Sequence, residues 1–287
     1  MGNDHLTYIR QEEVKELLMH RKGEAKLGEF IQLPKEKELL ENILDGSDAG
    51  YVIIGIPEDI GPRANLGKGG ANEAWRTFLP KFLNVQSNKS LKGDDILLLG
   101  SINTEDLLSK ADKLNNTKEE DIEQLRKLVA ELDERVIEVI KSVVTAGKFP
   151  IVVGGGHNNC YPCIKGTALG LKQNNKIAAA KIACANLDPH ADFRPMEGRH
   201  SGNGFSYAFN EGYLDRYHIL GLHNNYNSEH TFTNLNEHPE KIQYNTFEQI
   251  FSGDKTFREY VSETLSPLKE IYTGIEVDLD SVMFMPV

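Results

Sequence analysis

Three stretches of this chain end in side chains that bind metal ions well. The densest is Asn186-Leu187-Asp188-Pro189-His190-Ala191-Asp192, in which Asp188, His190 and Asp192 alternate with non-ligands. An extended backbone points alternate side chains to one face, so two carboxylates and an imidazole converge if this is a strand end. The preceding run Ile182-Ala183-Cys184-Ala185-Asn186-Leu187 is small and mostly apolar, as a buried strand would be. Carboxylate with imidazole is the donor mix for a hard to borderline divalent cation. A polar strand end facing solvent would have the same spelling, so the motif has to be read with its companions.

The second stretch is Ile151-Val152-Val153-Gly154-Gly155-Gly156-His157-Asn158-Asn159. A β-branched run stops at three glycines, which allow a sharp turn and close approach. His157 then stands at the carboxyl edge of a sheet, where open α/β sheets place their sites. A phosphate-binding loop is the competing reading, but neither G-x-G-x-x-G nor G-x-x-x-x-G-K-[ST] spacing is present. The third stretch, Ile271 to Asp280, ends in alternating acids Glu276, Asp278 and Asp280. Together the three ends supply enough donors for two ions if carboxylates bridge, an arrangement that can clamp a substrate. Oxygen donors with two imidazoles suit Mn2+, with Zn2+, Co2+ and Fe2+ as alternatives.

The three motifs, in this order, resemble the ureohydrolase superfamily of arginase, agmatinase and formimidoylglutamase, over about Tyr51 to Asp280. The resemblance implies two Mn2+ per chain. The first ion would take His157, Asp188, Asp192 and the first acid of the last motif; the second would take His190, Asp188 and both acids. Asp278-Leu279-Asp280 matches the family's D-[VIL]-D, and is preferred to Glu276-Val277-Asp278, which would put Glu at a ligand position. Glu276 would then stand behind the ligands. The resemblance also gives Asp192 a proton-relay role. Asp188 to Pro195 followed by Ser201-Gly202-Asn203 reads most like formimidoylglutamases, with Arg194, Ser201 and Asn203 as substrate contacts. A guanidinium can bind a carboxylate with two parallel hydrogen bonds. Arg63 and Asn65 would edge the site. Two departures stand out: Gly156 replaces a frequent Asp before the first histidine, and Phe205 replaces the arginase proton-shuttle histidine. The implied activity is hydrolysis of a linear amidine or guanidine, formimidoylglutamate first, as in histidine catabolism. A homo-oligomer is also implied.

These ends need a scaffold of alternating strands and helices. Strands are expected at 51–56, 95–100, 150–153, 182–187, 217–221 and before Asp278. A capping box, Thr117 with Glu120, should start a long helix whose stripe runs from Ile122 to Val143 and which ends at Gly147. Ser109 to Asn116 reads as a loop. The fold class is α/β, a three-layer sandwich with a mainly parallel central sheet. Residues 1–48 are expected to form a helical extension, and 49–287 one arginase-like domain. The resemblance implies one or two further strand–helix units past Val287. Without them a sheet edge and an apolar face would be exposed. Residues 283–287 are themselves apolar.

Composition excludes some classes. A net charge of −11 disfavours nucleic acid and anionic membranes as partners. No apolar stretch approaches the roughly 18 residues of a membrane span. Three cysteines, including Cys160 and Cys163 in one C-x-x-C, form no zinc cage and suggest a reducing, cytoplasmic setting. Three rivals to the amidine reading are a guanidino hydrolase, a one-zinc deacetylase of related fold, and a non-catalytic binding protein.

Overall fold

Short runs of β-branched and aliphatic residues, too brief for a helical stripe, form the strands: β1 (Leu6–Tyr8), β2 (Tyr51–Gly55), β3 (Ile96–Ile102), β4 (Phe149–Val153), β5 (Ile182–Leu187), β6 (Leu214–Leu222), β7 (Ile242–Thr246) and β8 (Thr273–Val277). The computed structural model describes residues 5–35 and 38–282; the apolar 283–287 lie outside the described residues. Two four-stranded sheets form, in the orders β1-β3-β2-β4 and β7-β6-β5-β8. Every pairing is parallel except β1 with β3. β2 and β3 are buried almost throughout, as parallel strands covered on both faces should be.

Eleven helices among the described residues connect and flank these strands: α1 (Gln11–Leu17), α2 (Leu40–Gly46), α3 (Ile60–Ala64), α4 (Ala74–Leu83), α5 (Glu105–Ala111), α6 (Glu119–Thr145), α7 (Cys160–Gln173), α8 (Gly204–Asn210), α9 (Glu229–Asn236), α10 (Phe247–Ser252) and α11 (Phe257–Leu265). The expected stripe of α6 is its buried face: Leu125, Val129, Leu132, Val136, Ile140 and Val143 all enter the main core. Gly147 takes a left-handed φ of 79° beyond its end. α7 packs against α6 at Gly166 and Gly170, where a methyl would meet Ile140 and Val144. Cys160 and Cys163 lie on α7 as free thiols.

Three local expectations are corrected. The capping box at Thr117 does not form. The Thr117 amide and hydroxyl instead bond Asn115 Oδ1, and the helix opens at Glu119 with three acids in its first turn. Part of the expected loop, residues 109–111, belongs to α5, because Leu107 and Ala111 bury against the core and Arg135 pins Asp106 through two bonds. Within residues 1–48, expected to be helical, Leu6–Tyr8 is a strand that adds antiparallel to β3; tertiary pairing outweighs local propensity there.

β4 pairs only with β2, and β8 only with β5, among the described residues. Apolar side chains stand exposed on both: Phe149 and Ile151 on β4, Ile275 and Val277 on β8. These two edge strands lead into His157 and Asp278.

Candidate metal centre

Each donor is delivered by a strand end. After β4, Gly154 and Gly155 adopt φ of 90° and 78°, a left-handed turn that side chains resist. It delivers His157 into a short 3-10 turn. At the end of β5, Asp188 and His190 project together. Asp192 has φ 45°, a left-handed conformation that Asp tolerates better than most residues, and this turns its carboxylate back toward His157. The end of β8 is tied to the end of β5: Asp278 N donates to Leu187 O at 3.0 Å and Ser281 Oγ to the same oxygen at 2.9 Å. Asp278 caps the next turn by accepting from Asp280 N.

The sequence-predicted ligands meet. His157 Nδ1 is 3.1 Å from Asp188 Oδ2, 2.9 Å from Asp192 Oδ2 and 3.2 Å from Asp278 Oδ2. His190 Nδ1 is 3.6 Å from Asp188 Oδ1 and 3.0 Å from Asp280 Oδ2. Two donor groups result, His157-Asp188-Asp192-Asp278 and Asp188-His190-Asp280, sharing Asp188. Asp278 belongs to the first group only, whereas the resemblance assigned both acids to the second. Glu276 belongs to neither. It stands one step back on β8, where burial pushes its carboxyl up.

The donor set fits a cation. Four carboxylates face two imidazoles. His157 Nδ1 stands within reach of three acceptors, yet neither of its ring nitrogens forms a well-aligned hydrogen bond. One N–H cannot serve three carboxylates; one shared cation can. Asp280 Oδ1 is likewise buried and unpartnered. The electrostatics agree. Burial opposes charge on His157, but the three carboxylates outweigh it and raise its pKa well above the ordinary imidazole value. Asp188 and Asp280 lift His190 to about 10. Burial also opposes charge on Asp188, while both imidazoles hold it down to about 2. Burial pushes Asp192 up to about 6 against the pull of His157.

Asn186, Tyr217 and Tyr226, which the sequence did not single out, help hold the candidate ligands. Asn186 Nδ2 donates to Asp188 Oδ2 and to the Tyr217 hydroxyl, which donates to Ala191 O. Phe205 stacks on Tyr217 at 4.2 Å and meets the His157 ring edge-on. Tyr226 stacks on His190 and on His223, so His223 walls the site and belongs to neither donor group. The stacking of His190, Tyr226 and His223 leaves no spacing signal in the sequence.

The expected substrate contacts divide. Arg194 is exposed two residues past Asp192, and its guanidinium donates to Asn65 Oδ1 at 2.5 Å. Asn65 in turn donates to Ser201 Oγ at 3.2 Å. These three form one edge. Arg63 is spent elsewhere, on Asp59, Asp112 and the carbonyls of Ala111 and Leu114. Asn203, expected at the substrate, is fully buried. Its oxygen accepts from Arg199 and His200 N, and its amide donates to Pro195 O and Gly198 O. It has no donor left for a ligand and braces the loop instead. Arg199 completes the brace, paired with buried Asp133 at 2.7 Å and flanked by the Tyr161 and Tyr207 rings.

A parallel α/β scaffold with two imidazoles and four carboxylates gathered at its strand ends defines a candidate binuclear metalloprotein. The chain belongs to the arginase family, whose model matches residues 49–286. It is 28% identical over 246 residues to a formimidoylglutamase of Streptococcus pyogenes serotype M3, covering 82% of this chain and 66% of that protein. The fold is similar to the crystal structure of Bacillus subtilis formimidoylglutamase, with a TM-score of 0.66, 16% identity, and coverage of 92% of this chain and 72% of that one. It is also similar to a variant of Trypanosoma cruzi formiminoglutamase with Mn2+, with a TM-score of 0.61, 20% identity, and coverage of 90% and 75%. No helix among the described residues is long and apolar enough to cross a membrane.

Proposed function

We propose that this chain is a binuclear manganese hydrolase of linear amidine C–N bonds, acting on formimidoylglutamate and water to give glutamate and formamide. The observation that carries this reading is the pair of donor groups joined through Asp188. Two Mn2+ ions there would supply Lewis acidity and a nucleophile drawn from water near neutral pH. His157, Asp188, Asp192 and Asp278 would hold one ion, and Asp188, His190 and Asp280 the other. Asp192, buried against His157, is the residue we assign to pass a proton to the leaving nitrogen. Arg194, steadied by Asn65 beside Ser201, would receive a substrate carboxylate through charge-assisted bonds.

The names of the relatives support the substrate, and the Mn2+ in the Trypanosoma cruzi structure supports the metal. Phe205, buried in the position of the arginase histidine, favours an amidine over arginine. The three free cysteines support a cytoplasmic setting. The test is turnover by Mn2+-loaded protein on formimidoylglutamate, arginine, agmatine and guanidinobutyrate in parallel, following formamide and urea. Formamide from formimidoylglutamate alone is the expected result. Urea from a guanidino compound would move the assignment to that substrate. Silence on all four with metal bound would remove it.

A further inference from the structure

Below His157 lies a carboxylate that no metal group includes. Glu58, in the loop after β2, is fully buried. Its Oε1 accepts from Gly156 N at 2.7 Å and from Asn159 Nδ2 at 2.7 Å. Its Oε2 accepts from Gly61 N at 3.1 Å, at the start of α3. Asn159 Nδ2 also donates to Gly156 O at 2.8 Å, closing a ring of bonds around the residue that precedes His157. The packing is tight: a methyl on Gly61 would overlap the Asn158 amide, and one on Gly156 would overlap Pro62 and Asn158. Each of these partners of Glu58 is a donor, so the side chain works as an acceptor on both oxygens.

We propose that Glu58 is the positioning residue for His157, clamping the Gly155-Gly156-His157 turn so that the imidazole meets Asp188, Asp192 and Asp278. Several features lead to this. The triple-glycine turn has no side chains of its own to fix it. His157 must point at three carboxylates within 2.9 to 3.2 Å. The Glu58 carboxylate is held by the loop on one side and by the first turn of α3 on the other. Gly156 leaves no side chain before the histidine to do this work, and Pro62 leaves no room for one. The inference rests on the reading of the site as a two-ion centre.

Glu58→Gln isolates the effect, because it keeps the shape and turns one acceptor into an amide that must face an N–H donor. His157 serves one donor group and His190 the other. The expected result in Mn2+ titration by calorimetry is therefore that one ion weakens by about 10- to 100-fold while the other is unchanged. Electron paramagnetic resonance of the half-loaded variant should show isolated Mn2+ in place of a coupled pair. Leu98→Ala, a cavity in β3 away from these loops, controls for general loss of stability and should weaken neither ion selectively. Equal affinities in wild type and Glu58→Gln overturn the proposal, as does parallel weakening of both ions. If Glu58→Gln does not fold, Asn159→Ala removes one strut of the same ring and should weaken the same single ion; no selective effect there would count equally against the proposal. A wild type that binds fewer than two Mn2+ would instead defeat the two-ion reading.

Discussion

His157 Nδ1 stands 3.2 Å from Asp278 Oδ2, and this contact joins the two half-sheets at their carboxyl ends. His157 follows β4, the edge of one sheet; Asp278 follows β8, the edge of the other. The donors thus come from two separately hydrogen-bonded units, and a shared ion would cross-link them.

Metal should therefore stabilise the whole chain. Ligand that binds only the folded state adds about 2.7 kcal/mol at a free concentration 100 times its Kd. Thermal melts with Mn2+ and with chelator should separate by several degrees for wild type. His157→Ala should lose most of that separation. An unchanged separation would mean that the ions do not bind between these strands.

The register of the last motif makes a second test. Asp280→Asn removes a partner of His190 and should cost one of two bound Mn2+ ions, measured by metal analysis after desalting. Glu276→Gln, one step back on the same strand, should keep both. The reverse pattern would shift the ligands to Glu276 and Asp278.

The candidate ligands were legible because strand ends write their donors at every second residue: Asp188, His190 and Asp192 are one spacing, Asp278 and Asp280 another. The long helix was legible from its stripe. What stayed hidden depends on contacts between distant segments. Asn203 reads as a substrate contact until Arg199, Pro195, Gly198 and His200 are seen to use all of its amide. Glu58 reads as a loop acid until Gly156 is placed against it, 98 positions along the chain. The strand Leu6–Tyr8 has no pattern of its own and exists because β3 offers an open edge. Pairings of this kind leave no local signature in a single sequence.

Arg194 and Asn203 should part company under mutation. Arg194→Ala removes an exposed guanidinium, so stability should hold within about 0.5 kcal/mol. Its loss should lower kcat/KM for formimidoylglutamate by about 10- to 100-fold, the worth of a charge-assisted bond of roughly 1.5–3 kcal/mol. Asn203→Ala leaves buried Arg199 short of an acceptor and should destabilise by about 1–3 kcal/mol, read in urea melts. Full activity of Arg194→Ala on a dicarboxylic substrate would remove it from the site.

The buried imidazole of His200 should set part of the acid limb of stability. It is fully enclosed, its Nδ1 accepts the Gly202 N–H at 3.1 Å, and its Nε2 lies 3.4 Å from Glu197 Oε1 without a well-aligned hydrogen bond. Burial, followed by the charges of Arg194, Arg126 and Arg199, lowers its pKa to about 3. The unfolded chain takes up a proton near pH 6.5, and the folded chain does not until about pH 3. Between these limits the unfolded state binds more protons, so stability falls as pH falls, by up to about 1.4 kcal/mol per unit from this residue. His200→Asn keeps an oxygen to accept from Gly202 N and removes the titration. In chelator, which takes metal release out of the comparison, urea melts of wild type should lose stability faster than those of His200→Asn between pH 6.5 and pH 4. Parallel curves would mean that His200 can protonate inside the fold.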